Sequence, residues 1–159
     1  MKKHYSIFVY LIFLLSITFY ISQNYLQVLL IQGHSMEPTY HHWQPALIDK
    51  RDVTYQHGDV IAFYAPELNH VLIKRIVAVP NDTIVIQNNT LYVNNTISEW
   101  QLFSQPISDA GIASNIISLN DAEYFVLGDN YSQSKDSRHD TIGLISEQDI
   151  IGKIIPQRP

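Results

Sequence analysis

The sequence of 159 residues contains no cysteine. This absence excludes disulfide bonds, thiol catalysis and metal sites built on thiolates. Glycine and proline, with 6 and 7 residues, are too scarce for a collagen-like or low-complexity chain. Basic residues are also few, and the net charge of −5 argues against a nucleic acid as partner. The length suits one domain with a sizeable core.

Charge is absent from one long stretch, because no Asp, Glu, Lys or Arg occurs between Lys3 and Glu37. Inside it, residues 5–22 are apolar apart from serine and threonine side chains, which can bond to helix carbonyls. As a helix these residues would be about 27 Å long, close to the ~30 Å hydrocarbon core of a bilayer. The sequence therefore predicts a transmembrane anchor over residues 5–22.

The flanking charges predict the orientation of this anchor. Lys2 and Lys3 precede the span, and the next basic residue is Lys50. Positive residues tend to stay on the cytoplasmic side of a membrane. The sequence therefore predicts a single-pass protein of the cell membrane, in which residues 1–4 are a cytoplasmic tail and residues 23–159 are an extracytoplasmic domain. Two other interpretations of the apolar run are a cleavable signal peptide, which is usually shorter, and a buried core helix, which usually has a polar face.

The rest of the chain predicts a mainly β domain, since β-branched and aromatic runs alternate with turn residues. A hairpin is predicted over residues 83–95, because two alternating runs flank Asn88-Asn89, which tolerate positive φ. Residues 146–149 look like the N-cap and first turn of one short helix before Gly152. Residues 97–119 are mixed in pattern. Single strands are predicted at residues 26–31, 46–48, 59–64, 71–79 and 123–127.

Two basic residues, Lys74 and Arg75, lie inside the apolar run 71–79. Side chains alternate along a strand, so each would share a face with apolar neighbours. One interpretation is that both side chains extend to water at a strand end. The other is a desolvated lysine, whose pKa falls from about 10.4 by up to ~3–5 units, so that a neutral amine can act as a base.

A candidate nucleophile, Ser35, lies in the segment 33–39. It follows the flexible Gly33 and precedes an extended Glu-Pro step, so its hydroxyl and its own N–H can face outward. Most serines in loops are simply solvated. With a neutral lysine in reach, however, a Ser–Lys pair is an established way to activate a hydroxyl.

Four ordered motifs resemble those of bacterial type I signal peptidases. They are G-H-S-M-E-P-T at 33–39, G-D-V-I at 58–61, K-R-I-V-A-V-P-N-D at 74–82, and G-D-N at 128–130 followed by S-K-D-S-R at 134–138. The chain is most similar to the short, single-anchor form of Gram-positive bacteria. The resemblance covers nearly the whole chain and implies a compact antiparallel β-sheet, barrel-like peptidase domain after one N-terminal transmembrane helix.

The resemblance also implies an activity, that of a membrane-bound serine endopeptidase which cuts signal peptides from secretory preproteins. Ser35 would be the nucleophile and Lys74 the general base, with no metal and no cofactor. The backbone N–H of Ser35 would donate to the oxyanion. Some relatives add a hydroxyl two positions before the nucleophile, but this chain has Gly33 there.

Supporting roles are implied in the same way. Ser134 matches a serine that orients the lysine. Arg75 with Asp129, and Asp136 with Arg138, match two ion pairs of the family. The alternative is that these are surface pairs, which are worth only ~0–1 kcal/mol each.

The implied substrate cleft accepts small side chains and binds the peptide as an added strand. The matching positions are Ile31, Met36, Leu72 and Ile73. Besides the preprotein, the bilayer is the expected partner, with apolar surface over residues 26–30 resting on it.

The sequence departs from the family pattern at three positions outside the dyad. Tyr131 stands where Arg usually follows G-D-N, and Ala78 and Asn81 replace usual glycines. Because these positions lie outside the dyad, the departures bear on local turn geometry more than on activity.

Three rival functions are open to the sequence. A Ser–His–Asp hydrolase could use one of the 7 histidines, and the same histidines permit a metal site, although none has a recognised spacing. The third rival is an anchored β domain that binds partners without chemistry, including a decayed peptidase.

Overall fold

A computed structural model describes residues 2–51, 54–101 and 106–156, with the side chains of residues 5 onward. The N-terminal helix α1 (Lys2–Asn24) extends past both ends of the predicted span. Its segment Tyr5–Asn24 has a mean hydropathy of 1.9 and is not buried against the rest of the protein, so it is long and apolar enough to cross a membrane. This exposure shows that the core-helix interpretation is wrong.

Eleven strands follow α1 in the described residues, and every pairing among them is antiparallel. The mainly β fold after an N-terminal helix is therefore confirmed, as are the five single strands, within one or two residues at their ends. The strands are β1 (Leu26–Leu30), β2 (Pro45–Asp49), β3 (Val60–Ala65), β4 (His70–Ala78), β5 (Thr83–Gln87), β6 (Thr90–Val93), β7 (Thr96–Ile97), β8 (Ile117–Ser118), β9 (Glu123–Leu127), β10 (Ile145–Ser146) and β11 (Ile150–Ile154).

The strands form two sheets. Seven build a large sheet in the order β1-β2-β11-β3-β4-β9-β10, and four build a small one in the order β7-β6-β5-β8. The predicted hairpin is confirmed as β5–β6, and its turn residues Asn88 and Asn89 have φ values of 50° and 62°. Asparagine tolerates this left-handed region better than most residues, which explains its use at the turn.

The short helix predicted at residues 146–149, with Ser146 at its N-cap position, is present as a 3₁₀ helix rather than an α-helix. The structure has a single 3₁₀ turn, Glu147–Asp149, between β10 and β11. Gly152 lies inside strand β11 rather than after a helix. Glycine is required at this position because a Cβ there would come within 2.2 Å of the Asp49 carbonyl oxygen on β2. The glycine thus permits close approach of two strands, a requirement that depends on a distant part of the chain.

Strand β4 lies between β3 and β9 in the large sheet and contributes residues to all three core clusters. Its residues from Ile73 to Ala78 are all buried, as the apolar run predicted. Ile73 packs into a cluster with Ile31 and Met36, Ile76 into a second cluster beneath β3 and β9, and Val77 into a third cluster that joins the small sheet. A lysine on this strand is therefore surrounded by core.

Candidate active site

The structure brings Ser35 and Lys74 together. Ser35 lies in the loop between β1 and β2, and Lys74 lies on β4, 39 positions later. Lys74 Nζ is 2.9 Å from Ser35 Oγ, and it also donates to the carbonyl oxygen of Ile73 at 2.9 Å. The hydroxyl is therefore within direct proton-transfer distance of the amine.

The side chain of Lys74 is desolvated rather than extended to water, since the residue is only 3% exposed. Burial lowers its pKa from 10.5 to about 8, because the charged ammonium loses hydration. The carboxylates of Asp136 and Asp129 act in the opposite direction and raise the pKa, less strongly than burial lowers it. At neutral pH a useful fraction of this amine, about one in ten, is uncharged and can accept a proton.

Ser35 is carried by the serine loop, defined here as residues 31–44. Two backbone hydrogen bonds close its ends, from Ile31 N to the Gln44 carbonyl (2.9 Å) and from Trp43 N to the Ile31 carbonyl (2.8 Å). Within the loop, the N–H of Gly33 donates to His42 Nδ1 at 2.9 Å. The candidate nucleophile Ser35 therefore lies on a closed and internally bonded loop.

The serine loop is also tied to the segment that follows β9. Asn130 N donates to the carbonyl of Ser35 at 3.0 Å, and Thr39 Oγ1 donates to Asp129 Oδ2 at 2.5 Å. Glycine is required at position 128, because a Cβ there would lie 2.5 Å from the Ser35 carbonyl oxygen and 2.2 Å from Ser134 Oγ. The G-D-N motif thus holds the loop through backbone contact and one carboxylate.

Arg75 and Asp129 form a buried bidentate pair, with N–O distances of 2.8 and 2.6 Å. Arg75 also donates to the carbonyl of Gly58 at 2.7 Å, and its guanidinium lies 5.7 Å from the ring centroid of Trp100. Since Asp129 also accepts from Thr39, this pair connects β4, the loop before β3 and the serine loop. The interpretation as a surface pair is wrong for these residues, because Asp129 is 2% exposed.

Asp136 and Arg138 form a second buried pair, with contacts of 2.8 and 2.9 Å. Asp136 Oδ2 accepts the backbone N–H of Gly128 at 3.1 Å, and Arg138 donates to the carbonyls of Tyr131 (2.8 Å) and Ser134 (3.2 Å). The pair thus organises the segment 128–138 that faces Lys74. It is not a surface pair either, since both residues are at most 3% exposed.

Ser134 packs against Gly128, next to the Ser35 carbonyl, but it does not make the implied contact with Lys74. The residue is 6% exposed, and its hydroxyl has no hydrogen-bond partner among the described residues. The hydrogen bond to Lys74 that the resemblance implies is therefore not formed in this geometry. Sequence similarity identifies Ser134 as the matching position. Whether its hydroxyl contacts Lys74 depends on the orientation of the side chain.

A cavity of about 110 Å³ opens next to the dyad. All four predicted cleft residues, Ile31, Met36, Leu72 and Ile73, border it. Three of them pack together in one core cluster, whereas Leu72 packs against the cluster beneath β3. His70, Val71 and Gln32 also border the cavity and were not predicted.

Strand periodicity contains a signal for one of these missed residues. His70, Leu72 and Lys74 are two positions apart on β4, so they share a face. The histidine therefore points to the same side of the sheet as the lysine. No comparable signal exists for Gln32, because it lies in an irregular loop whose path the sequence pattern does not define.

Two unpaired strand edges flank the cavity. Strand β1 is the terminal strand of the large sheet, and among the described strands it pairs with β2 alone. Residues 70–74 of β4 pair with β3, while the pairing of β4 with β9 is confined to Arg75–Ala78. Free main-chain N–H and C=O groups on such edges can accept an additional strand.

The structure accommodates the residues at all three positions where the sequence departs from the family pattern. The Tyr131 hydroxyl donates to the Trp100 carbonyl at 2.9 Å and its ring is buried in the core. Asn81 has φ of 70°, so an asparagine fills a turn position that glycine usually occupies. Ala78 is fully buried, where a small side chain fits between the sheets.

In the described part of the chain, no histidine is hydrogen-bonded to Ser35 Oγ. His34 bonds to Glu37 at 2.8 Å and His57 to Asp82 at 2.7 Å, while Ser35 Oγ bonds to Lys74. Within the same residues no group of three or more His, Asp or Glu side chains is arranged to hold a metal ion. The geometry favours the lysine over a histidine as the base.

Most of the chain matches known proteins. Residues 2–156 fit the family model described as "Signal peptidase, peptidase S26". Signal peptidase I U of Bacillus subtilis (strain 168) is 32% identical over 151 residues, covering 89% of this chain and 77% of the relative. Signal peptidase IB of Staphylococcus aureus (strain Mu50) is 31% identical over 144 residues, covering 78% and 73%.

The fold has a solved counterpart as well. The crystal structure of a signal peptidase I from Enterococcus faecalis V583 superposes with a TM-score of 0.52 at 23% identity, covering 65% of this chain and 98% of that one. The chain therefore belongs to the signal peptidase family, peptidase S26. Within that family it is a signal peptidase I-type enzyme, a serine endopeptidase that hydrolyses peptide bonds.

Proposed function

We propose that this enzyme is a membrane-bound endopeptidase that removes signal peptides from secretory preproteins with Ser35 and Lys74 as its catalytic dyad. One observation carries the proposal: the buried Lys74 Nζ lies 2.9 Å from Ser35 Oγ. A desolvated amine with a pKa of about 8 is a competent base near neutral pH.

The dyad supports a two-step hydrolysis. Neutral Lys74 Nζ takes the Oγ proton while Ser35 Oγ attacks the scissile carbonyl carbon. The resulting ammonium then protonates the leaving amine, the C–N bond breaks and an acyl-enzyme remains. Water attacks this ester as Lys74 again accepts a proton, and that proton returns to Ser35 Oγ when the carboxylic product departs.

Charge develops at two places in this reaction. The oxyanion would accept from the backbone N–H of Ser35, since Gly33 has no side chain to add a second donor. The ammonium of Lys74 would be stabilised by the negative fields of Asp136 and Asp129, which raise its pKa. Because each carboxylate also has an arginine partner, neither has to take the lysine proton itself.

The edges beside the cavity support strand addition as the mode of substrate binding. A preprotein segment extended between β1 and residues 70–74 would use main-chain hydrogen bonds and would present its carbonyl to Ser35. Ile31, Met36 and Ile73 wall the small cavity beside the nucleophile. Limited volume excludes large residues, in line with small side chains next to the scissile bond.

Helix α1 is proposed as a retained anchor, with residues 5–22 in the bilayer, residues 1–4 in the cytoplasm and residues 23–159 outside. Tyr5 at one end and Tyr20 and Tyr25 at the other are suited to the two membrane interfaces. Because β1 begins at Leu26, directly after α1, the catalytic domain would start at the outer membrane surface.

A cleavage assay on a purified preprotein in detergent tests the dyad. Ser35→Ala and Lys74→Ala should each lower kcat/KM by at least about a thousandfold, because each removes a group that acts in every step. Ser118→Ala and Lys135→Ala remove an exposed serine and an exposed lysine and should cleave normally. Ordinary turnover by Ser35→Ala would instead favour a different nucleophile. Absence of cleavage by the unaltered protein itself would favour a binding protein without chemistry.

A further inference from the structure

The hydrogen bond between Gly33 and His42 determines how the chain enters the nucleophile position. Gly33 has φ of +91°, a conformation that residues with a side chain rarely adopt. No atom lies within 4 Å of the place where its Cβ would be. Packing therefore does not restrain this residue on that side, and the bond from its N–H to His42 Nδ1, 2.9 Å long, restrains it instead.

The direction of this bond defines the protonation state of the imidazole. A backbone N–H can only donate, so His42 Nδ1 must offer a lone pair and the ring proton must be on Nε2. An imidazolium would direct an N–H from Nδ1 at the N–H of Gly33, and the bond would be lost. Only neutral His42 can hold Gly33 in place.

The groups around His42 belong to the serine loop. Its ring centroid is 5.3 Å from that of His34 and 5.0 Å from that of Trp43. The nearby charged and titratable groups are Glu37, whose Oε1 is 2.8 Å from His34 Nδ1, and His41, whose Nδ1 is 3.7 Å from the same oxygen.

Gly33 is separated from Ser35 by one residue, so the orientation of its peptide unit affects both reacting parts of the serine. Ser35 Oγ must stay 2.9 Å from Lys74 Nζ, and the Ser35 N–H must face the oxyanion. A displacement of about 1 Å at such a centre can cost about a hundredfold in rate.

We infer that His42 is a positioning residue for the nucleophile: its neutral imidazole accepts the Gly33 N–H and holds the serine loop in the reactive conformation. The inference rests on the proposed Ser35–Lys74 dyad. It adds a second group, remote from the reacting atoms, whose Nδ1 must be unprotonated for turnover.

Three variants of the full-length enzyme test this role with a preprotein in detergent. His42→Leu removes the acceptor and should lower kcat by about tenfold or more with KM within about twofold, because the loss is in alignment rather than in substrate binding. His42→Asn places Oδ1 near the position of Nδ1 and should restore kcat to within about threefold of the wild type. His41→Leu changes an exposed neighbouring histidine and should cleave normally.

The pH profile distinguishes positioning from mere structure. As the pH is lowered, kcat/KM of the wild type should fall more steeply than that of His42→Asn, because a proton on Nδ1 abolishes the acceptor whereas an amide does not titrate. Parallel profiles, or His42→Asn as slow as His42→Leu, would overturn the role of His42. The decline governed by Lys74 near pH 8 should persist in both proteins, and its absence would count against the dyad instead.

Discussion

Burial on β4 lowers the pKa of Lys74 to about 8, which brings its loss of a proton close to neutral pH. With a pKa of about 8, its neutral fraction should rise about tenfold per pH unit below pH 8 and level off above it. We expect kcat/KM for a preprotein to follow this curve between pH 7 and 9. A decrease between pH 7 and 8.5 would contradict a neutral lysine as the base.

The same burial has a cost in folding stability. The pKa of Lys74 is about 8 in the folded protein and 10.5 in water, so below pH 8 both states are protonated and the folded state carries a desolvated charge. This cost is about 3 kcal/mol, and it disappears as the pH rises from 8 to 10.5, where the unfolded chain binds more protons.

Lys74→Met should therefore be more stable than the wild type at pH 7, by up to about 3 kcal/mol, because the cost of the buried charge is removed. The advantage should shrink between pH 8 and 10.5, when the wild-type amine loses its proton. Chemical denaturation of both proteins in detergent measures this difference. A variant less stable than the wild type at pH 7 would indicate that the lysine is structural.

At the scale of elements, the segment after β9 depends on one arginine. Arg138 compensates the charge of Asp136, which is 0% exposed, and holds the carbonyls of Tyr131 and Ser134. Arg138→Leu should lower the free energy of unfolding by about 3–5 kcal/mol, since it leaves an uncompensated buried carboxylate.

Arg51→Leu provides the matched control for this prediction. Arg51 pairs with Asp49, whose side chain is 11% exposed, but the side chain of Arg51 is 63% exposed and hydrated. Its removal should therefore cost less than the removal of Arg138, about 1 kcal/mol. Equal losses of stability for the two variants, measured by the same denaturation, would show that the Asp136–Arg138 pair contributes no more than a pair whose arginine is exposed to water.

The elements also show where sequence patterns suffice. Strands β3, β4 and β9 were predicted within one residue, because alternating or continuous β-branched runs report burial directly. Strand β11 was missed because Gly152 resembles a helix stop, whereas it allows the close approach of Asp49 on β2. A local pattern contains no information about which distant strand will lie beside it.

At the scale of the whole molecule, the absence of cysteine permits a direct test of orientation. Single-cysteine variants Lys2→Cys and Asn115→Cys place one thiol before the span and one on the exposed surface of the domain. In intact cells a membrane-impermeant maleimide should label Asn115→Cys, and it should label Lys2→Cys only after permeabilisation.

Two other results would contradict this arrangement. Labelling of Lys2→Cys in intact cells would reverse the orientation. Failure to label Lys2→Cys after permeabilisation, with Asn115→Cys labelled, would show that the N-terminal segment is removed, as in a cleaved signal peptide.

The sequence by itself determined the long apolar segment, the β character and which residues are proposed as the dyad, because an apolar run, strand periodicity and short ordered motifs are local properties. It left open whether Lys74 is buried or reaches water, and whether the ion pairs are internal. Tertiary structure decided both, because packing of β3 and β9 around β4 removes water from Lys74 and Arg75. The dielectric environment of Lys74 and its distances to other groups depend on residues that are far apart in the chain. The lowered pKa of this amine therefore arises only in the folded protein.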